Sequence, residues 1–145
     1  MAVPLALTGR DTAGLGKREY SQAVTLVLTH LAAGFDAARS RDTSATLRSM
    51  KVVLDRASSE LAVLRAPADA ADAQRALVAE FRNYATQVDL LRASVDFGDI
   101  ATIASHLREI TAPAAIATLL DGLRAKGYRI PVHVSGTRGI VRHGG

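Results

Sequence analysis

The sequence predicts an all-α fold, an antiparallel up-down-up-down four-helix bundle whose last helix is kinked or split at Pro113. Three observations predict it. Apolar residues recur at intervals of three and four over most of the chain, which places them on one side of a helix. Alternating runs rich in Val, Ile and Tyr are absent, and aromatic residues make up only 4% with no Trp. Ala and Leu must therefore fill the core, which suits close helix packing better than a sheet. Finally, the two clearest stripes are separated by a break of a few residues at Pro67, so their helices are expected to fold back on each other. With 145 residues and 48% hydrophobic content, the chain fits one domain able to form a core without a metal or disulfide staple. It divides into an N-terminal segment (1–16), the bundle (17–127) and an extended basic tail (128–145).

The N-terminal segment is expected to be flexible. Its apolar patch, Ala2 to Leu7, has no Lys or Arg before it. The patch is too short for a secretion signal core or a membrane span. Leu5-Ala-Leu-Thr-Gly9 resembles the end of a lipoprotein signal, with Arg10 where the lipid-bearing Cys would stand. No lipid attachment is expected.

The first helix is read from Lys17 to Arg41. Its stripe is Tyr20, Val24, Val27, Leu31, Phe35 and Ala38, widened by Leu26 and Leu28. Gly34 inside it costs about 1 kcal/mol relative to Ala, which a closely approaching neighbour helix would explain. His30 to Gly34 has the His and Gly spacing of a histidine phosphotransfer site. Ala33 stands where such a site needs Lys, so that chemistry is not expected.

Asp42 or Thr43 is positioned to cap the second helix, whose stripe is Leu47, Met50, Leu54, Ala57, Leu61 and Leu64. That helix should stop near Arg65, because Pro67 disfavours helical geometry at the residue before it. The third helix spans roughly 27 residues to Asp96. Its stripe is Leu77, Phe81, Tyr84, Val88, Leu91 and Val95, with Asn83 and Gln87 beside it as exposed flank residues. Gly98 can end it in a left-handed conformation and Asp99 can cap the next helix.

The last helix, Asp99 to Lys126, carries two apolar runs. They are Ile100, Ile103, Leu107 and Ile110, then Ile116, Leu119, Leu120 and Leu123. Pro113 between them removes a backbone hydrogen bond and predicts the kink or split, with Thr111 as the second cap. Gly127 ends the element. In the tail, Ile130, Val132 and Val134 alternate around Pro131, so a short extended piece is expected to lie against the bundle.

The formal net charge of +4 is unevenly placed. Arg124, Lys126, Arg129, Arg138 and Arg142 are five of the 18 basic residues, and no acid follows Asp121, leaving 13 against 14 acids in residues 1–123. The body is thus nearly neutral, unlike a domain built to grip nucleic acid. The tail is a candidate site for an anionic surface or acidic partner.

With no Cys, thiolate metal sites, disulfides and a Cys nucleophile are excluded. Gly-rich phosphate loops, nucleophile elbows and His-Glu-x-x-His motifs are also missing. The one constellation with metal-ligating chemistry is His30, His106 and Glu109. In an ideal bundle the first and fourth helices are neighbours, so these could converge on Zn²⁺ or another transition metal.

From Leu61 to Val132 the chain resembles uncharacterised helical proteins of high-GC bacteria, many of them exported or lipid-anchored. The resemblance is carried by Leu61-Ala-Val-Leu-Arg-Ala-Pro67, the long helix, Gly98-Asp99, a further helix and Gly127-Tyr128. It implies an extracytoplasmic four-helix bundle and brings no activity and no site residues. The leading functional expectation is a non-enzymatic accessory or interaction protein without a cofactor. Its expected partner is a protein or a second copy, within a larger membrane-associated or extracytoplasmic assembly. The alternatives are a metal or small-ligand bundle, and an anionic-surface or nucleic-acid binder acting through the tail.

Overall fold

The computed structural model describes residues 16–134 and 141–143. The elements run α1 (Lys17–Ala38), α2 (Thr43–Ala62), a 3₁₀ turn (Ala68–Ala70), α3 (Ala71–Phe97), α4 (Ile100–Arg108), α5 (Ala112–Ala125), β1 (Val132–Val134) and β2 (Val141–His143). This is an all-α arrangement of four helical rods, the fourth made of α4 and α5. A short antiparallel ribbon follows, pairing Val132 with His143 and Val134 with Val141. No described helix is long and apolar enough to cross a membrane. The segment 1–15 and Arg138 lie outside the described residues, and Arg142 is described by its backbone alone.

Helix ends follow local chemistry. Asp42 caps α2 by accepting from the Ser44 N–H at 3.1 Å, and Asp99 caps α4 by accepting from the Ala101 N–H at 3.2 Å. Gly98 ends α3 with φ +74°, a left-handed conformation that side chains resist. The fourth rod is split, as Pro113 predicted, with Pro113 in the first turn of α5. Thr111, however, makes no side-chain capping bond. Instead Gln87, reaching across from α3, accepts from the Ala112 N–H at 3.2 Å. A residue read as an exposed flank is thus the cap of another helix.

Side-chain bonds give the directions of the rods. Ser44 at the start of α2 donates to Asp96 at the end of α3, while Gln74 at the start of α3 donates to the Leu61 carbonyl at the end of α2. These two helices are therefore antiparallel, and theirs is the most extensive helix contact among the described residues. The α1 and α2 rods approach closely at Gly34, where an added Cβ would lie 2.7 Å from Val53 Cγ1. That approach is the reason expected for a glycine inside α1.

The core is built from the stripes: Tyr20, Val24, Leu28 and Leu31 of α1, Leu54 and Leu61 of α2, Leu77, Phe81 and Val88 of α3, and Ile116, Leu120 and Leu123 of α5. It includes Tyr128, Ile130 and Val132, so the first part of the tail is an integral layer of the core. Two edge-to-face aromatic pairs cross it, Tyr20 with Tyr128 at 5.7 Å and Phe35 with Tyr84 at 6.0 Å. The exception to the stripe pattern is α4. It is strongly amphipathic yet buries no residue. Ile103 and the following Ile110 pack partly on the core, but Ile100 and Leu107 face outward. Leu26, expected to widen the α1 stripe, is also exposed.

Candidate functional site

The structure does not bring the predicted metal ligands together. His30 lies on the flank of α1 that faces α2, with Nδ1 3.9 Å from Glu60 Oε1. His106 Nδ1 shares a hydrogen bond with the Ser94 hydroxyl of α3, and its Nε2 is 3.9 Å from Glu109. The expectation failed because the fourth rod is split. Its first half, α4, leans on α3 and makes no contact of comparable extent with α1. Among the described residues, no three His, Asp or Glu side chains are placed to hold a metal ion.

Of the predicted basic tail residues, Arg124 and Lys126 serve the fold. Arg124 is a structural clamp: its guanidinium donates to the Ile130 carbonyl at 2.7 Å and the Val132 carbonyl at 2.5 Å, and pairs with Asp121 at 2.8 Å. It holds the residues after α5 against the bundle. Lys126 Nζ donates to the Asp69 carbonyl at 2.7 Å. Tyr128 donates to the Asp69 carboxylate, and burial, followed by that carboxylate, pushes its hydroxyl up to about 12. Arg129 is exposed. It lines a cleft of about 560 Å³ with Lys17, Arg18, Ser21, Gln22 and Gly127. There the Lys17 ammonium sits 4.8 Å above the Tyr128 ring and donates to the Lys126 carbonyl. A second, open groove of about 500 Å³ runs between α1 and α2, with His30, Arg56 and Glu60 on its rim and Gly34 and Val53 in its floor.

The feature that stands out against ordinary packing is apolar. Seven large hydrophobic side chains are exposed among the described residues, and four of them lie on the last two turns of α3 and on α4. Phe97 is 90% exposed, Ile100 80%, Leu107 55% and Leu90 48%. Leu90 and Phe97 are seven apart and share one line of α3. Ile100, Ala104 and Leu107 form a line along α4 by the same rule. Side-chain bonds tie the corner to its neighbours. Ser44 donates to Asp96 at 2.5 Å, and Arg92 and Arg48 pair with the same carboxylate at 2.6 and 3.4 Å. The Ser44 hydroxyl first, with the two guanidiniums, holds that carboxyl below the usual carboxylate range. On the other side Ser94 and His106 fasten α4 to α3.

Sequence periodicity missed this corner because it assigns Ile100 and Leu107 to the core by spacing alone. The available signal was the brevity of α4, nine residues held between Gly98 and Pro113. Such a segment cannot turn all its apolar positions inward once both ends are anchored. Comparison with known protein families, curated proteins and solved structures returned no match.

Proposed function

We propose that this chain is a non-enzymatic interaction protein, a small subunit that docks a protein partner through the α3–α4 corner. The observation that carries the reading is the strongly amphipathic α4 with no buried residue, its apolar line exposed beside Phe97 and Leu90. Monomeric proteins rarely leave contiguous apolar patches uncovered, and such patches mark contact surfaces. The side-chain bonds that tie α4 to α3 support it, since a preorganised surface loses little freedom on docking. The test is affinity capture after crosslinking in the source cells, with wild type and Ile100→Ser/Leu107→Ser compared. Proteins held by the wild type and lost with the variant support the reading. Identical captures would overturn it.

A second reading keeps an anionic ligand but moves it from the tail to the cleft of Lys17, Arg18 and Arg129. Arg124 and Lys126 are engaged in holding the fold, which favours this relocation. Deleting residues 128–145 cannot test it, because Tyr128, Ile130 and Val132 are core residues. Vesicles containing phosphatidylserine should instead bind wild type and release Arg18→Glu/Arg129→Glu. Equal binding by both proteins would refute the reading.

A further inference from the structure

Resting on the second reading above, we infer that the cleft between the start of α1 and Arg129 is a phosphate site. It takes a dianionic phosphate monoester, carried on a small molecule or on a lipid headgroup.

The cations stand on two walls. On α1, Arg18, Ser21 and Gln22 are three and four apart, so they share one side of the helix. The other wall is the run Tyr128-Arg129-Ile130. Tyr128 and Ile130 are buried, and Arg129 between them is left to face out. This run is held at each of its residues. Tyr128 donates to the Asp69 carboxylate, the Arg129 N–H donates to Ser21 Oγ at 3.2 Å, and the Ile130 carbonyl accepts from Arg124 at 2.7 Å. Ser21 is itself buried and donates to the Lys17 carbonyl at 2.8 Å. It thereby fixes Arg129 against the part of α1 that carries Arg18. The fold sets both arginine backbones before any ligand arrives, which lowers the freedom lost on binding.

Charge selects the ligand. Lys17, Arg18 and Arg129 line the cleft, and no acid is among the described residues that line it. Glu19 turns its carboxylate toward Gly16 instead. The Lys17 ammonium is partly engaged, donating to the Lys126 carbonyl and lying over the Tyr128 ring. Arg18 and Arg129 take part in no ion pair among the described residues. A guanidinium presents a planar fork that meets two phosphate oxygens at once. Two such forks beside a third positive charge suit a group of about −2, the charge of a phosphate monoester near neutral pH. A diester or a single carboxylate brings one negative charge and leaves more of the repulsion uncompensated. The cleft, about 560 Å³, is also of the size that small-ligand sites have.

NMR amide shifts read the binding of methyl phosphate and of dimethyl phosphate, its monoanionic diester, at ionic strength held constant with chloride. Methyl phosphate should give saturable shifts confined to residues 17–22 and 127–129. Arg18→Gln and Arg129→Gln should each weaken it roughly tenfold, the effect of losing one charge-assisted hydrogen bond. Dimethyl phosphate should bind wild type more weakly by roughly the same factor. Arg56→Gln on α2 should bind as wild type does. Both cleft arginines are exposed, so the variants should keep the wild-type circular dichroism spectrum. Shifts that never saturate, equal binding of the two esters, or cleft variants that bind like wild type overturn the inference. Phosphatidylcholine vesicles containing either phosphatidic acid, a monoester, or phosphatidylserine, a diester, separate the sources. Retention on phosphatidic acid vesicles that both variants lose assigns the phosphate to a lipid headgroup. Methyl phosphate bound with neither vesicle retained assigns it to a free molecule. Phosphatidylserine vesicles bound through the two arginines, with methyl phosphate ignored, overturn the inference and leave the anionic reading standing. Binding of no ester and no vesicle removes both.

Discussion

Gln74 offers the most direct test of how the bundle is held in register. It is 7% exposed in the first turn of α3. Its Oε1 accepts from the Tyr20 hydroxyl of α1 at 2.5 Å, and its Nε2 donates to the Leu61 carbonyl at the end of α2. One amide therefore ties three helices together. Gln74→Met keeps the length of the side chain and removes both polar groups. The Tyr20 hydroxyl, on a fully buried residue, is then left without its acceptor, at a cost of about 1–3 kcal/mol. The Leu61 carbonyl fares better, because it still accepts from the Leu64 N–H at 3.0 Å. Losing the Gln74 bond there costs about 0.5–1.5 kcal/mol. Burying a thioether instead of an amide offsets about 1 kcal/mol. The expected net loss is about 2 kcal/mol, a fall in urea midpoint of about 1 M for a slope near 2 kcal/mol/M. Tyr20→Phe removes the orphaned donor, so the double variant should be more stable than the two single losses would sum to, by about 1 kcal/mol. Urea unfolding followed by circular dichroism measures all four proteins. A Gln74→Met loss under 0.5 kcal/mol, or strict additivity in the cycle, would refute the reasoning.

The remaining predictions concern the helix approach and the titrating groups. Gly34→Ala should destabilise despite its better helix propensity, because the new methyl meets Val53, a β-branched side chain with one favoured rotamer. Gly34→Ala/Val53→Ala should recover much of the loss, and thermal midpoints no lower for the single variant than for wild type would count against the close approach. Asp96 is held below the usual carboxylate range chiefly by Ser44, then by Arg92 and Arg48. Its folded pKa therefore lies below the unfolded one, and its contribution is complete above the unfolded value of about 4 and lost as pH falls through the folded value. The stability gap between wild type and Asp96→Asn should narrow below pH ~4, and a gap constant from neutral to acid pH would exclude this role. Burial raises the hydroxyls of Tyr84 and Tyr128 to about 12 and that of Tyr20 as well. These raised values mean stability present below the unfolded pKa near 10 and lost as pH rises through the folded values. Tyrosinate absorbance should appear in the same cooperative step as loss of helical signal, and tyrosines ionising while the helices persist would contradict their burial.

What the chain determines locally was legible from residue order. Apolar stripes fixed the inward sides of α1, α2, α3 and α5. Asp42, Gly98, Asp99, Pro113 and Gly127 marked helix ends, because capping and backbone freedom act within one turn. The extended residues after α5 were also legible from Ile130 and Val132. Tertiary structure decided how far each short element could rotate and which distant polar groups met. The nine residues of α4, pinned at both ends, leave Ile100 and Leu107 outside, and the same split keeps His106 beside Ser94 and away from His30. Gln74, Gln87 and Arg124 each serve a backbone group on another element or a later segment. Nothing in helical periodicity encodes such partners, since a side chain finds them only after the rods have packed.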